Sequence, residues 1–372
     1  MKPRLLVIHR ALVPYRIDLF NELYRRFDTK VYFEYPTPFE QQFSDEITKS
    51  RVRFPYRVLP QIETAPANFR PQLYSIVKKF RPHLILCSEI NMISGLLYLA
   101  KAFHGQARLI SMIDDNESLA RQTLSKVGFK SLFLPRLDGM ICCDQRAVAL
   151  YERAYAHQYH YLPIVQDETY IRAQLESALP KAVEIRRNLA SAEEKRIMLF
   201  VGRLAEEKNL PSLIRSFSDL IPQHPHWQLI LVGDGPLRTF LQILINQSPF
   251  ADHIHLVGKR EGEELYSYYA AADCLVLPSN RELFAAVVVE GLIAGLPAAV
   301  SSVAGSTCLI GETNGCSFSP FSSSELSEAL RRLMSKIEDS APWQSSQIKR
   351  SLMPYQFTRY IDDVEQYLLG LI

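Results

Sequence analysis

Two carboxylates, Glu282 and Glu290, stand in the run 278–297 with seven residues between them, all apolar or small. An ionised carboxylate held among Val, Leu, Ile, Ala and Gly costs several kcal/mol unless it finds hydrogen-bond donors. If Val287, Val288 and Val289 form a strand, or if Glu290 rides a solvated helix edge, both carboxylates are bystanders. The sharper reading is a loop that carries Glu282 and a helix that starts near Ala285. Glu290 then falls in the first turns, and the free backbone amides of Phe284, Ala285, Ala286 and Val287 form an anion site. A carboxylate offers acceptors only, so it suits paired hydroxyls. Hydroxyl pairs beside phosphates describe a sugar nucleotide. Upstream, Arg203 follows an apolar run and Gly202, and Lys208 opens the next helical region. A guanidinium fork and an ammonium point charge can together neutralise a diphosphate, although surface loops carry such cations too.

Residues of this kind need rigid elements behind them, and the chain alternates short apolar runs with helical patterns from end to end. Runs at 4–8, 31–34, 84–87, 109–112 and 139–142 read as buried parallel strands, with helices at 16–27 and 72–80 between them. A second set of strands follows at 197–201, 228–232, 254–257, 274–277 and 298–301. This is the rhythm of doubly wound α/β domains. Two sets in one chain of 372 residues fit two Rossmann-like domains facing across a cleft. Ligands of open α/β sheets bind outside the carboxyl ends of the strands, where Arg203, Gly233 and Glu282 fall. The pattern turns polar and helical between Pro163 and about Glu194, which marks the boundary.

Composition narrows the function classes. A net charge of +2 gives no support to a nucleic-acid partner. No run of about 18 apolar residues suggests a membrane span, and the N-terminal apolar stretch is too short for a signal peptide. The six cysteines lack CxxC spacing, and Cys87, Cys142, Cys143 and Cys274 sit in apolar runs. They read as small buried residues in a reducing cytoplasm, so no disulfide and no metal is expected. No G-x-G-x-x-G follows the first strand, which argues against hydride transfer.

The motifs of the second half, taken in order, resemble the retaining glycosyltransferases of family 4 (glycosyl transferase group 1), which have the GT-B fold. They are Gly202-Arg203-Leu204 with Glu207-Lys208-Asn209, then Val232 to Pro236, then Val257-Gly258. Glu264-Leu265-Tyr266, Ala272-Asp273, the two glutamates and Gly295-Leu296-Pro297 complete the set. The resemblance implies a final helix that crosses back to the first domain. It gives residues 1–165 plus 355–372 as an acceptor-side domain and 166–354 as a nucleotide-sugar-binding domain. It assigns Glu290 to the ribose hydroxyls, Glu282 to hydroxyls of the transferred sugar, and the diphosphate to Arg203 and Lys208. Lys259 and Arg260 stand where relatives contact the base, largely through backbone. The anomeric configuration is retained, and neither a cofactor nor a metal is implied.

The first half departs from that pattern. Where relatives have a Gly-Gly loop after the first strand, this chain reads 10–16 without glycine, ending in Pro14-Tyr15-Arg16. Where relatives supply a histidine, it reads Ile113-Asp114-Asp115-Asn116. Asp114, or less strongly Asp115, is expected either to contact sugar hydroxyls or to cap a helix, with Tyr15 and Arg16 as the alternative sugar contacts. Residues 36–69, aromatic and proline-rich, are expected to face the acceptor. The basic amphipathic stretch 119–136 would suit a lipid-linked acceptor or the cytoplasmic face of a membrane as a peripheral contact, or else packs on its own domain. The resulting expectation is a glycosyltransferase that uses a nucleotide-diphospho-sugar and a glycan or lipid-linked acceptor. A non-catalytic nucleotide-sugar-binding subunit and a nucleotide-sugar epimerase are the alternatives.

Overall fold

The computed structural model describes residues 2–36, 45–61, 69–104, 106–125, 128–189, 195–340 and 342–372. The chain divides into two compact units, Met1–Gln166 with Phe357–Ile372, and Asp167–Gln356. Each is built on one parallel sheet flanked by helices, and the architecture is GT-B.

The first unit carries, among the described residues, seven strands: β1 (Arg4–His9), β2 (Asp28–Phe33), β3 (Tyr56–Val58), β4 (Leu84–Ser88), β5 (Arg108–Ile113), β6 (Gly139–Cys142) and β7 (Gln158–Tyr161). Their order across the sheet is β3-β2-β1-β4-β5-β6-β7, with every pairing parallel. The central strands read as unbroken apolar runs because helices cover both faces, and Leu5, Leu6, Ile8, Leu84 and Ile85 are fully buried. The edge strands β3 and β7 lie outside the sequence expectation. One side of an edge strand meets water, so Tyr-Arg-Val and Gln-Tyr-His-Tyr show no apolar run to find. The first helix begins at Pro14, whose missing amide costs nothing at that position, two residues ahead of the expected start.

The second unit holds β8 (Arg196–Val201), β9 (Trp227–Val232), β10 (Ile254–Gly258), β11 (Cys274–Leu277), β12 (Ala298–Ser301) and β13 (Gly315–Phe318). They lie in the order β10-β9-β8-β11-β12-β13, again all parallel. The edge strand β13 was not legible either, because Gly-Cys-Ser-Phe is half polar. Trp227, Phe200, Phe217 and Leu231 anchor the core beneath this sheet.

The last helix, Phe357–Gly370, packs in the first unit. Arg26 donates to Asp362 at 2.6 Å and also pairs with Glu365, and the Tyr367 hydroxyl donates to the Gln158 carbonyl at 2.8 Å. Among the described residues no helix is long and apolar enough to cross a membrane. Cys87, Cys142, Cys143 and Cys274 are buried thiols, whereas Cys308 is exposed.

Candidate active site

Strand order reverses between β8 and β11, and it is beside such a reversal that the carboxyl ends of an open sheet leave a crevice. The loop after β8 begins with Gly202, whose amide donates to Val232 at 3.0 Å. Beside it Gly233 donates to the Gly258 carbonyl at 2.9 Å. Gly233 has φ +147°, and a Cβ placed there would lie 1.8 Å from the Gly202 carbonyl oxygen. Only glycine allows the two turns to touch. Arg203 then projects as an exposed side chain with no ion-pair partner among the described residues. A short 3-10 turn, Glu206–Lys208, follows and ends at Asn209 in a left-handed conformation, φ 52°. Lys208 pairs with Glu282, and the amide of Asn280 donates to the Glu207 carbonyl at 2.9 Å. These bonds lash the loop after β8 to the loop after β11. Only 17% of the Lys208 side chain and 15% of that of Glu282 meet solvent, so the pair acts on its surroundings with little dielectric screening.

The loop after β11 reaches the helix Ala286–Ile293 through Ala285, a non-glycine residue at φ 75°. Such backbone costs about 1–3 kcal/mol and persists only where its surroundings enforce it. Here the buried Phe284 ring holds one side, and the Phe284 carbonyl accepts from Ser306 at 3.0 Å. Phe284 therefore offers a ligand only backbone. Ala286 and Val287 supply first-turn amides, and the carbonyl-directed bonds of the helix begin with Val288 donating to Ala285 at 3.1 Å. The run 287–289 is thus helical, and the strand alternative is set aside.

Glu290 is half-buried on that helix and accepts from the Tyr269 hydroxyl at 2.8 Å. Burial, reinforced by the Glu290 carboxylate, pushes the Tyr269 phenol well above its ordinary range, so it remains a donor. Tyr269 was missed at the sequence level. Its signal is its place on the helix Gly262–Ala271, three residues after the Tyr266 of the motif. Lys259 pairs with Glu261 at 3.0 Å, and Arg260 donates to the Val257 carbonyl at 2.8 Å and to Glu264 at 3.4 Å. Both side chains are engaged locally, at the end of β10.

In the first unit, Arg16 is 2% exposed and pairs with Asp114 across 98 residues of sequence. The expectation that Asp114 caps a helix is corrected. The cap of the helix Glu117–Ser125 is Asn116, whose side chain accepts from the Leu119 amide at 3.0 Å. Asp115 is 4% exposed and accepts from the Tyr151 hydroxyl at 2.6 Å, so it is a core acceptor turned away from solvent. Tyr15 is half-buried, and burial pushes its phenol upward. Asp114→Ala is expected to lower stability by about 2 kcal/mol, because it strands a buried guanidinium. A melting curve checks this, and an unchanged midpoint would contradict the pairing.

Glu89, at the end of β4, was also missed. It holds a strained φ of 62°, and burial with neighbouring Asp114 and Asp115 pushes its carboxyl to about 7 against the pull of Lys130 at 4.0 Å. The amphipathic stretch forms the helices Glu117–Ser125 and Phe129–Phe133. Leu132 is 55% exposed, Leu134 is buried, and residues 126–127 lie outside the described residues. Much of the expected acceptor segment, 37–44 and 62–68, also lies outside them.

Residues 182–350 match the family described as glycosyl transferases group 1. An uncharacterised glycosyltransferase of Methanocaldococcus jannaschii is 31% identical over 41% of this chain and 39% of its own length. A GDP-mannose-dependent alpha-mannosyltransferase of Corynebacterium glutamicum is 25% identical over 74% of this chain and 64% of its own. The first curated relatives are thus spanned over only 24–39% of their length. The structure of Anabaena HepE in complex with UDP superposes over 99% of this chain and 100% of its own, with a TM-score of 0.71 at 15% identity, a likeness of fold.

Proposed function

Residues 182–350 belong to the glycosyl transferases group 1, and from that premise we propose that the chain is a retaining, metal-independent glycosyltransferase. It moves a sugar from a nucleotide-diphospho-sugar to a glycan or lipid-linked acceptor. The observation that carries this reading is the Lys208–Glu282 pair beside the strand-order reversal, with Arg203 and the amides of Ala286 and Val287 at the same sheet edge. The diphosphate takes Arg203 and Lys208, which neutralise the charge that develops as the glycosidic C–O bond breaks. Once donor engages Lys208, Glu282 is released to accept from sugar hydroxyls. Glu290, held by Tyr269, accepts from the ribose pair. Retention follows if the acceptor hydroxyl adds from the face the phosphate leaves and passes its proton to a phosphate oxygen, so positioning replaces a nucleophile.

Transfer or hydrolysis from a panel of UDP-, GDP- and ADP-sugars tests the reading. Turnover in EDTA equal to turnover in Mg²⁺ or Mn²⁺ is the expected result. Complete loss in EDTA, rescued by the metal, would contradict metal independence. Binding without turnover across the panel would favour a nucleotide-sugar-binding subunit instead.

The two glutamates divide the donor between them. Glu290→Gln is expected to weaken nucleotide and nucleotide-sugar alike by about tenfold, since one acceptor becomes a donor facing ribose. Glu282→Gln is expected to weaken only the sugar nucleotide. Calorimetry with both ligands separates them, and equal losses in both variants would sink the assignment. For localisation, the proposal is the cytoplasmic face of a membrane, reached through Lys130, Arg136 and the exposed Leu132 of the first unit. Sedimentation with vesicles containing anionic lipid, against neutral vesicles, tests that contact.

A further inference from the structure

The opposite end of the second unit holds a cavity of about 640 Å³, at the amino ends of its strands and away from the loops described above. A strap, residues 342–352, borders the cavity there. Trp343 donates to the Ala270 carbonyl at 2.8 Å, Lys349 to that of Ala272 at 2.8 Å, and Leu352 to that of Leu292 at 2.7 Å. Arg172 reaches from its helix to the Lys349 carbonyl at 3.1 Å. The strap is therefore fastened along its length, and the space under it is built into the fold.

Charge in this cavity is one-sided. Arg172, Arg196, Lys336, Lys349 and Arg350 line it, and Asp273 is the one carboxylate among its described lining residues. Asp273 is already committed: it accepts from the Ile197 amide at 2.8 Å, pairs with Arg186, and stands 3.5 Å from Arg196 and 3.7 Å from Lys349. One buried carboxylate thus faces three cations. Lys349 is held below its ordinary range first by burial, opposed by Asp273, with Arg186 and Arg196 adding smaller downward pushes. Burial likewise lowers Arg186, again opposed by Asp273. Cations outnumber carboxylates among the described lining residues, so an anion entering the cavity would meet favourable charge.

We propose that this cavity is a second ligand site, for a small phosphate monoester with a hydroxylated body, separate from the donor site. Arg196, Lys336 and Arg350 receive the phosphate as charge-assisted donors. Thr313, Gln344 and Gln347 offer hydroxyl and amide partners for the remainder of the molecule.

The chain has two tryptophans, and only Trp343 lines the cavity, since Trp227 is fully buried in the core. Trp343 emission is titrated with inorganic phosphate and with glycerol 3-phosphate, with glycerol as the uncharged control and ionic strength held constant. Both anions should change the emission saturably, glycerol should not, and saturating UDP should leave the response in place. Arg350→Gln and Lys336→Gln are each expected to weaken the anions about tenfold, and Lys208→Ala should not weaken them. Arg350 is exposed, so its variant keeps the test valid if the Lys336 variant, which loses bonds to the Glu312 and Thr313 carbonyls, melts early. The proposal is overturned by emission that neither anion alters, by affinities unchanged in the Arg350 variant, or by a response that UDP or Lys208→Ala abolishes.

Discussion

Lys208→Ala is expected to lower turnover about a hundredfold, and Arg203→Ala by a similar factor, while both proteins stay folded. One ionic contact to a developing charge in a site shielded from water is worth roughly 3 kcal/mol, which is that factor in rate. The two variants differ in what they do to the resting protein. Arg203 is exposed and unpartnered among the described residues, so its loss should leave the melting temperature unchanged. Lys208 is mostly buried against Glu282, so its loss takes away that carboxylate's cationic partner and should cost about 1–2 kcal/mol of stability. Adding Glu282→Gln to Lys208→Ala should restore that stability without restoring turnover. The pair of measurements separates a structural ion pair from a phosphate-binding lysine. Near-wild-type rates in both single variants would refute the diphosphate assignment.

Gly233→Ala is expected to cost about 4 kcal/mol, roughly 10 °C in melting temperature for a unit of this size, and to abolish donor binding. The added methyl would sit 1.8 Å from the Gly202 oxygen and 2.9 Å from its carbonyl carbon, both backbone atoms that cannot rotate away. Relief requires breaking the bond from Gly202 to Val232 or that from Gly233 to Gly258, and these fix the turns that carry Arg203. Gly311→Ala is the control, because nothing lies within 4 Å of its added Cβ. A Gly233 variant that melts within a degree or two of the control would contradict this account of the turn.

What the sequence revealed and what it hid follow from where each residue gets its constraint. The strands at 274–277, 298–301 and 139–142 were legible to the residue, since burial on both faces demands an apolar run. β3, β7 and β13 were not, because an edge strand is specified by its neighbour's hydrogen bonds and not by its own side chains. Glu282 and Glu290 drew notice through the cost of a carboxylate in apolar surroundings, and the structure gives them Lys208 and Tyr269 among their donors. Spacing could not have paired Arg16 with Asp114, nor shown that Asn116 takes the cap and leaves Asp115 to Tyr151. The left-handed Glu89 and Ala285 carry no glycine to announce them, so their strain appears only with coordinates.

The central claim is that a nucleotide-diphospho-sugar binds at the carboxyl edge of the second sheet on Arg203, Lys208, Glu282 and Glu290. Calorimetric titration of UDP-, GDP- and ADP-sugars into the wild-type chain and into Lys208→Ala tests it most directly. The account predicts saturable binding of at least one nucleotide-sugar in EDTA, weakened about tenfold or more by Lys208→Ala, with the same donor then turned over by the wild type. Undiminished binding to the Lys208 variant, or no binding of any donor to a wild-type chain that melts cooperatively, would contradict it.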